Sequence, residues 1–160
     1  MNILLIGACG AGKTWVMKQI IQSNKLKTPA KVGMIKFVTD KRISVLGVYD
    51  GSVFEGSDKL SMAVMRDCEN WEKVREKHKM IGICEGDRFT NKTFIETCKP
   101  YIIKIVDDGA KGREQRQSSQ SERHLKAIQT RVGNIQADLE VKDSQEALNI
   151  IKGMICKLSN

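Results

Sequence analysis

The segment Gly7-Ala8-Cys9-Gly10-Ala11-Gly12-Lys13-Thr14 constrains this chain more than any other. It fits the pattern GxxxxGK[ST]. An apolar run at residues 2–6 precedes it, and in the stretch that follows Trp15, Val16, Gln19 and Ile20 recur at helical spacing. Strand, glycine turn and helix therefore succeed one another without a gap. Glycines in such a turn permit backbone conformations closed to other residues, so that successive N–H groups face inward at the positive end of the helix and hold phosphate oxygens. Gly7, Gly10, Ala11, Gly12, Lys13 and Thr14 are the expected contacts to a nucleoside triphosphate, ATP or a relative. Lys13 would reach the β- and γ-phosphates, and the Thr14 hydroxyl would complete a Mg²⁺ shell.

Beyond this loop, β-branched and aromatic residues concentrate at 32–38 and 43–49, separated by Thr39-Asp40-Lys41-Arg42, which predicts two strands and a hairpin. Residues 60–79 have helical periodicity, and Met80-Ile81-Gly82-Ile83-Cys84 reads as a buried strand. Thr90 is placed to cap a short helix through Cys98; a further strand follows at 101–106. A last helix, short strand and helix are expected at 124–135, 139–141 and 145–158. Strands alternating with helices imply crossover connections, hence an α/β fold with a mostly parallel sheet flanked by helices. The length of 160 residues matches one domain.

In a parallel α/β sheet, ligands collect beyond the carboxyl ends of the strands. Glu85-Gly86-Asp87-Arg88 directly follows a strand and so falls on the edge that carries the glycine loop. Either Glu85 or Asp87 suits a water-mediated Mg²⁺ contact or acceptance of a proton from an attacking hydroxyl, and either acid also ends a strand well for local turn reasons. Residues 107–124 turn to Gly, Gln, Ser and Arg with almost nothing apolar, as expected of a mobile lid; Arg113, Arg116 and Arg123 would bring guanidinium groups onto a transferring phosphate. Asp40, Asp58 and Arg88 complete the candidates, on the acceptor side at about 38–79 and the adjoining turn. For Asp58, capping a helix is the competing role.

Twenty-seven Lys and Arg against nineteen Asp and Glu leave a net charge of +8, which favours anionic partners. Five scattered cysteines without a CxxC pair suit reduced thiols of a cytosolic protein and not a zinc site. The apolar start has no basic region before it and runs into a glycine turn, so it reads as a strand and not a signal peptide. No apolar run is long enough to span a bilayer, and no membrane partner is expected.

Taken together, the glycine loop, Gly56-Ser57-Asp58-Lys59-Leu60-Ser61-Met62, Glu85-Gly86-Asp87-Arg88 and the basic segment leading to Thr130 and Ile135 resemble the small P-loop kinases, the compact phage-encoded ones especially. These are similar in layout to nucleoside monophosphate kinases, and among them are kinases of hydroxymethyl pyrimidines in DNA. The resemblance implies a three-layer P-loop kinase fold with a lid, in host cytoplasm if phage-encoded. It implies transfer of the γ-phosphate of ATP to a nucleotide-type acceptor, a hydroxymethyl-pyrimidine base in DNA before a free mononucleotide. Asn91-Lys92-Thr93-Phe94 lacks the aspartate of an N-K-x-D motif, which disfavours a switch GTPase. A non-catalytic nucleotide-binding module would keep the glycine loop without needing an arginine lid.

Overall fold

A computed structural model describes residues 1–52, 55–115 and 121–158. Seven strands form one sheet in the order β2-β3-β4-β5-β1-β6-β7. Strand β1 (Asn2–Gly7) is central, with β5 (Ile81–Glu85) on one side and β6 (Tyr101–Ile105) on the other, both parallel to it. Parallel pairing continues outward to β4 (Ile43–Leu46) beside β5 and β7 (Leu139–Val141) beside β6. Among these strands only β3 (Ile35–Thr39) is reversed, pairing antiparallel with both β4 and the edge strand β2 (Thr28–Val32) in a meander.

The strictly apolar run Ile3-Leu4-Leu5-Ile6 suits a strand covered on both faces, because alternate side chains enter opposite layers. Ile3 and Leu5 pack with Val16, Met17 and Ile20 of α1 (Lys13–Ser23) and Leu148 and Ile151 of α6 (Ser144–Leu158). Leu4 and Ile6 meet the other layer. There Trp71 of α2 (Cys68–Lys77), Phe94 of α3 (Lys92–Cys98), and Ile128 and Val132 of α5 (Glu122–Gly133) close the core. Phe37 and Phe89 add edge-on ring contacts with Trp71 and Phe94, at centroid distances of 5.1 and 4.9 Å. The expected mostly parallel α/β sheet with flanking helices is thus observed.

Several local expectations are corrected. The strand expected at 32–38 is broken by a turn at Gly33-Met34, where the Asp67 carboxylate accepts the Met34 amide at 2.8 Å, and β2 begins earlier, at Thr28. Pro29 lies within β2, which is tolerable because β2 is an edge strand. The helix expected over 60–79 is α-helical only from Cys68, after a 3₁₀ stretch at Met62–Asp67. Asn91, not Thr90, caps α3, its side chain accepting the Thr93 amide at 2.8 Å; the Thr90 hydroxyl donates to the Asp87 carbonyl. Within the segment expected to be a loop, α4 (Ala110–Gln115) forms, and α5 starts at Glu122 with Ser121 as its cap. Arg116 and residues 117–120 of the expected lid lie outside the described residues. Among those residues no helix is long and apolar enough to cross a membrane.

Candidate nucleotide-binding site

β1 delivers the chain at Gly7 to the carboxyl edge of the sheet, and α1 carries it away from Lys13. Gly12, at the N-cap with φ 85°, gives the helix no side-chain cap, so the amides of its first turn are not satisfied from within the helix. Those amides and the helix dipole leave a positive concavity at the loop. Gly10, at φ 87°, lies so close to the Gly109 carbonyl and the Arg113 amide that a β-carbon there would collide with backbone. The Lys13 ammonium spans the loop, donating to the carbonyls of Gly7 at 2.9 Å and Ala8 at 2.8 Å. Ala11 is buried against the core and holds the loop to the sheet.

One turn into α1, the Thr14 hydroxyl donates to Glu85 Oε1 at 3.3 Å. Thr14 follows β1 and Glu85 ends β5, which are adjacent parallel strands, so their pairing is a direct product of the register Leu5↔Glu85. Glu85 is 4% exposed. Its carboxylate lies against the α-carbon of Gly56, where any side chain would displace it, with Tyr49 alongside. Burial first, then the Glu85 charge, pushes the Tyr49 hydroxyl well above its ordinary pKa, so it stays protonated.

Asp87, two residues on, faces a different partner. Its Oδ2 accepts from Arg131 Nη1 of α5 at 2.9 Å. Burial pushes the Cys9 thiol in the glycine loop up, Lys13 and Arg113 pull it down, and Asp87 and Asp58 push it up again. All four charged groups therefore surround the loop.

The structure sorts the remaining candidates. Arg88 is turned onto its own scaffold, its Nε donating to the Leu60 carbonyl at 3.3 Å and so tying residues 56–60 to the turn after β5. Asp58 is exposed in a 3₁₀ turn at Ser57–Lys59 and caps no helix among the described residues; Ser61 caps the following turn by accepting the Ala63 amide. Asp40 is corrected outright. It closes the β3–β4 hairpin by accepting the amides of Arg42 and Ile43 at 3.0 and 2.8 Å, beside the amino end of β4. That is the edge of the sheet opposite the glycine loop, so Asp40 is a turn residue and not a substrate contact. Arg113 does not reach freely into the site: its Nη1 donates to the carbonyls of Cys9 and Asp108, clamping α4 to the loop. Arg123 is exposed on the first turn of α5 without a hydrogen bond or ion pair among the described residues. Arg131, Tyr49 and Glu55, all part of this edge, were not expected from the sequence. The clue for Arg131 was its position between Ile128 and Val132, three and one residues away on the buried face of α5.

Beside the loop a cleft of about 370 Å³ runs between Gly10–Gly12, Trp15, Lys111 and Ser144. Its volume and its half-exposed indole suit one heterocyclic base next to a phosphate chain. No family model matches the chain, and neither the curated proteins nor the solved structures yield a match.

Proposed function

We propose that this chain is a small P-loop kinase, transferring the γ-phosphate of ATP to a hydroxyl of a nucleotide-type acceptor. The observation that carries the reading is the Thr14–Glu85 contact at the mouth of the uncapped glycine loop. A hydroxyl and a buried carboxylate 3.3 Å apart, next to a lysine and the uncapped amides of α1, are the donor set expected for a magnesium-bound triphosphate. Thr14 would hold the metal directly and Glu85 through water; Mg²⁺, when bound, offsets charge on the phosphate oxygens.

Lys13 has one ammonium proton beyond those spent on Gly7 and Ala8, and it tracks the charge that builds between the β- and γ-phosphates. The acceptor oxygen attacks the γ-phosphorus as the bond to the β–γ bridging oxygen breaks, and ADP leaves. In this reading Asp87 takes the hydroxyl proton, and Arg131, which donates to it at 2.9 Å, orients its carboxylate. The clamp of Arg113 on Cys9 keeps α4 over the loop, where it limits access of water.

The acceptor we favour is a hydroxymethyl pyrimidine in DNA. Supporting it are the net charge of +8 and the acceptor-side segment after Gly56, which carries exposed Arg66 and Met62, itself 75% exposed, while Lys59 there is paired with Asp50. Net positive charge with a protruding apolar side chain suits a polyanion whose target base must leave the stack. The test is to incubate the protein with γ-labelled ATP and Mg²⁺ and, in turn, mononucleotides, unmodified DNA and hydroxymethyl-pyrimidine DNA, with Lys13→Ala as control. Label on the modified DNA alone is expected, and its KM should rise steeply between about 50 and 200 mM salt. Label on a mononucleotide with a flat salt profile would instead identify a nucleoside monophosphate kinase, and no label on any acceptor would remove the kinase reading.

A further inference from the structure

A carboxylate that the proposed chemistry does not use lies one residue from this site. The Glu55 side chain is 7% exposed, and its two oxygens differ sharply. Oε1 accepts from Lys18 Nζ at 3.0 Å, whereas Oε2 is buried without a hydrogen-bond partner among the described residues. Buried carboxylate oxygens are rarely left in that state, because desolvation without a partner is costly. A partner from outside the described residues is therefore expected there.

Three observations say what. Lys18 stands four residues after Thr14, on the same face of α1, so its partner Glu55 lies over the Thr14 side of the helix. Glu55 is bonded to Gly56, whose α-carbon abuts Glu85 Oε1. Tyr49 senses the Glu55 charge but donates its proton to the Leu46 carbonyl at 3.4 Å and not to Glu55. An unpartnered carboxylate oxygen near a loop built for phosphate would disfavour that ligand, and a cation between the two would offset this. Lys18, half exposed, supplies only part of the needed charge.

We infer that Glu55 is a second carboxylate of the metal side, binding a divalent cation through its water shell together with Glu85 and Thr14. Among the described residues no three His, Cys, Asp or Glu side chains converge closely enough to cage an ion directly. That is the condition under which Mg²⁺ keeps several of its waters and takes the remaining ligands from one hydroxyl and the phosphates. Glu55 would then be a positioning residue, acting on water and not on the reacting atoms. The inference rests on the triphosphate reading of the glycine loop.

The experiment titrates the full-length protein with Mn²⁺ in the presence of a non-hydrolysable ATP analogue, reading free Mn²⁺ by electron paramagnetic resonance. Glu55→Gln should weaken the ion by about tenfold, the usual size of a lost outer-sphere partner, while analogue affinity at saturating metal stays the same. Lys18→Gln, an exposed change that frees Glu55, should tighten the ion by about twofold, as expected of one screened pair. Unchanged Mn²⁺ affinity in folded Glu55→Gln would overturn the inference and leave the kinase reading standing. If that variant does not fold, Lys18→Gln decides, and an unchanged or weaker ion overturns it. Failure of the unaltered protein to bind the analogue would remove the triphosphate reading and this inference with it.

Discussion

Asp87 and Arg131 are 44 residues apart in the chain and joined by a 2.9 Å ion pair that bridges the turn after β5 and the last turn of α5. Arg131 is 52% exposed and Asp87 25%, so solvent screens the pair and it contributes at most about 1 kcal/mol to stability. Its value lies in orientation. Arg131→Ala and Asp87→Asn should each lower kcat by at least about tenfold, worth roughly 1.4 kcal/mol of barrier, and the double variant should be little worse than either alone. Melting curves should move by less than about 1 kcal/mol in all three. Additive losses in turnover would show that the two side chains act separately.

Glu85 is expected to matter through the metal. Glu85→Gln keeps the size of the side chain and its acceptance from Thr14 but removes the charge. Its kcat should fall by tenfold or more, and the Mg²⁺ concentration for half-maximal turnover should rise. A Mg²⁺ profile identical to that of the unaltered protein would assign Glu85 to the scaffold alone.

Gly10→Ala places a side chain at φ 87° against the Gly109 carbonyl. The forced conformation alone should cost about 1–3 kcal/mol, and displacement of α4 should weaken nucleotide binding. Gly153→Ala is the informative contrast. Gly153 is exposed within α6 with open space around it, so alanine there should stabilise the fold by about 0.5–1 kcal/mol. Urea unfolding of both variants, with calorimetry of nucleotide binding, checks the pair of signs.

Stability should decline on the alkaline side. Burial raises the thiol of Cys84 well above its ordinary pKa, with Glu85 and Cys68 adding to the shift, and the thiol rests on the Ile3 carbonyl at 3.6 Å. Tyr49 is raised similarly. In both cases the unfolded chain releases a proton that the folded chain retains, so stability is intact below the unfolded value and is lost above it. Loss should begin near pH 8.5 with Cys84 and the other raised thiols, Cys9 and Cys98, and steepen near pH 10 with Tyr49, at up to about 1.4 kcal/mol per pH unit for each group. Urea midpoints from pH 7.5 to 10.5 give the slope, and Cys84→Ala should flatten its first part. A flat profile to pH 10 would contradict the assigned burial of these groups.

The features legible in one dimension were local and periodic. Gly7–Thr14 with its strand and helix, the parallel α/β class and the pairing of the loop with the Glu85–Arg88 edge all follow from residue types at fixed spacing. Periodicity did not show that Asp40 lies on the far edge, because this depends on β3 running antiparallel into β4 and carrying the hairpin away from the loop. Nor did it separate the two acids at Glu85 and Asp87. Tertiary structure does so by giving one to Thr14, across adjacent strands, and the other to Arg131, from a helix 44 residues later. A polar side chain's role is set by what faces it, and those partners are brought by chain crossings that carry no short-range signal. Glu55 is the sharpest case: an acid in an irregular loop reads as solvated in one dimension, and only packing under Lys18 and beside Gly56 buries it, with one oxygen unpartnered among the described residues.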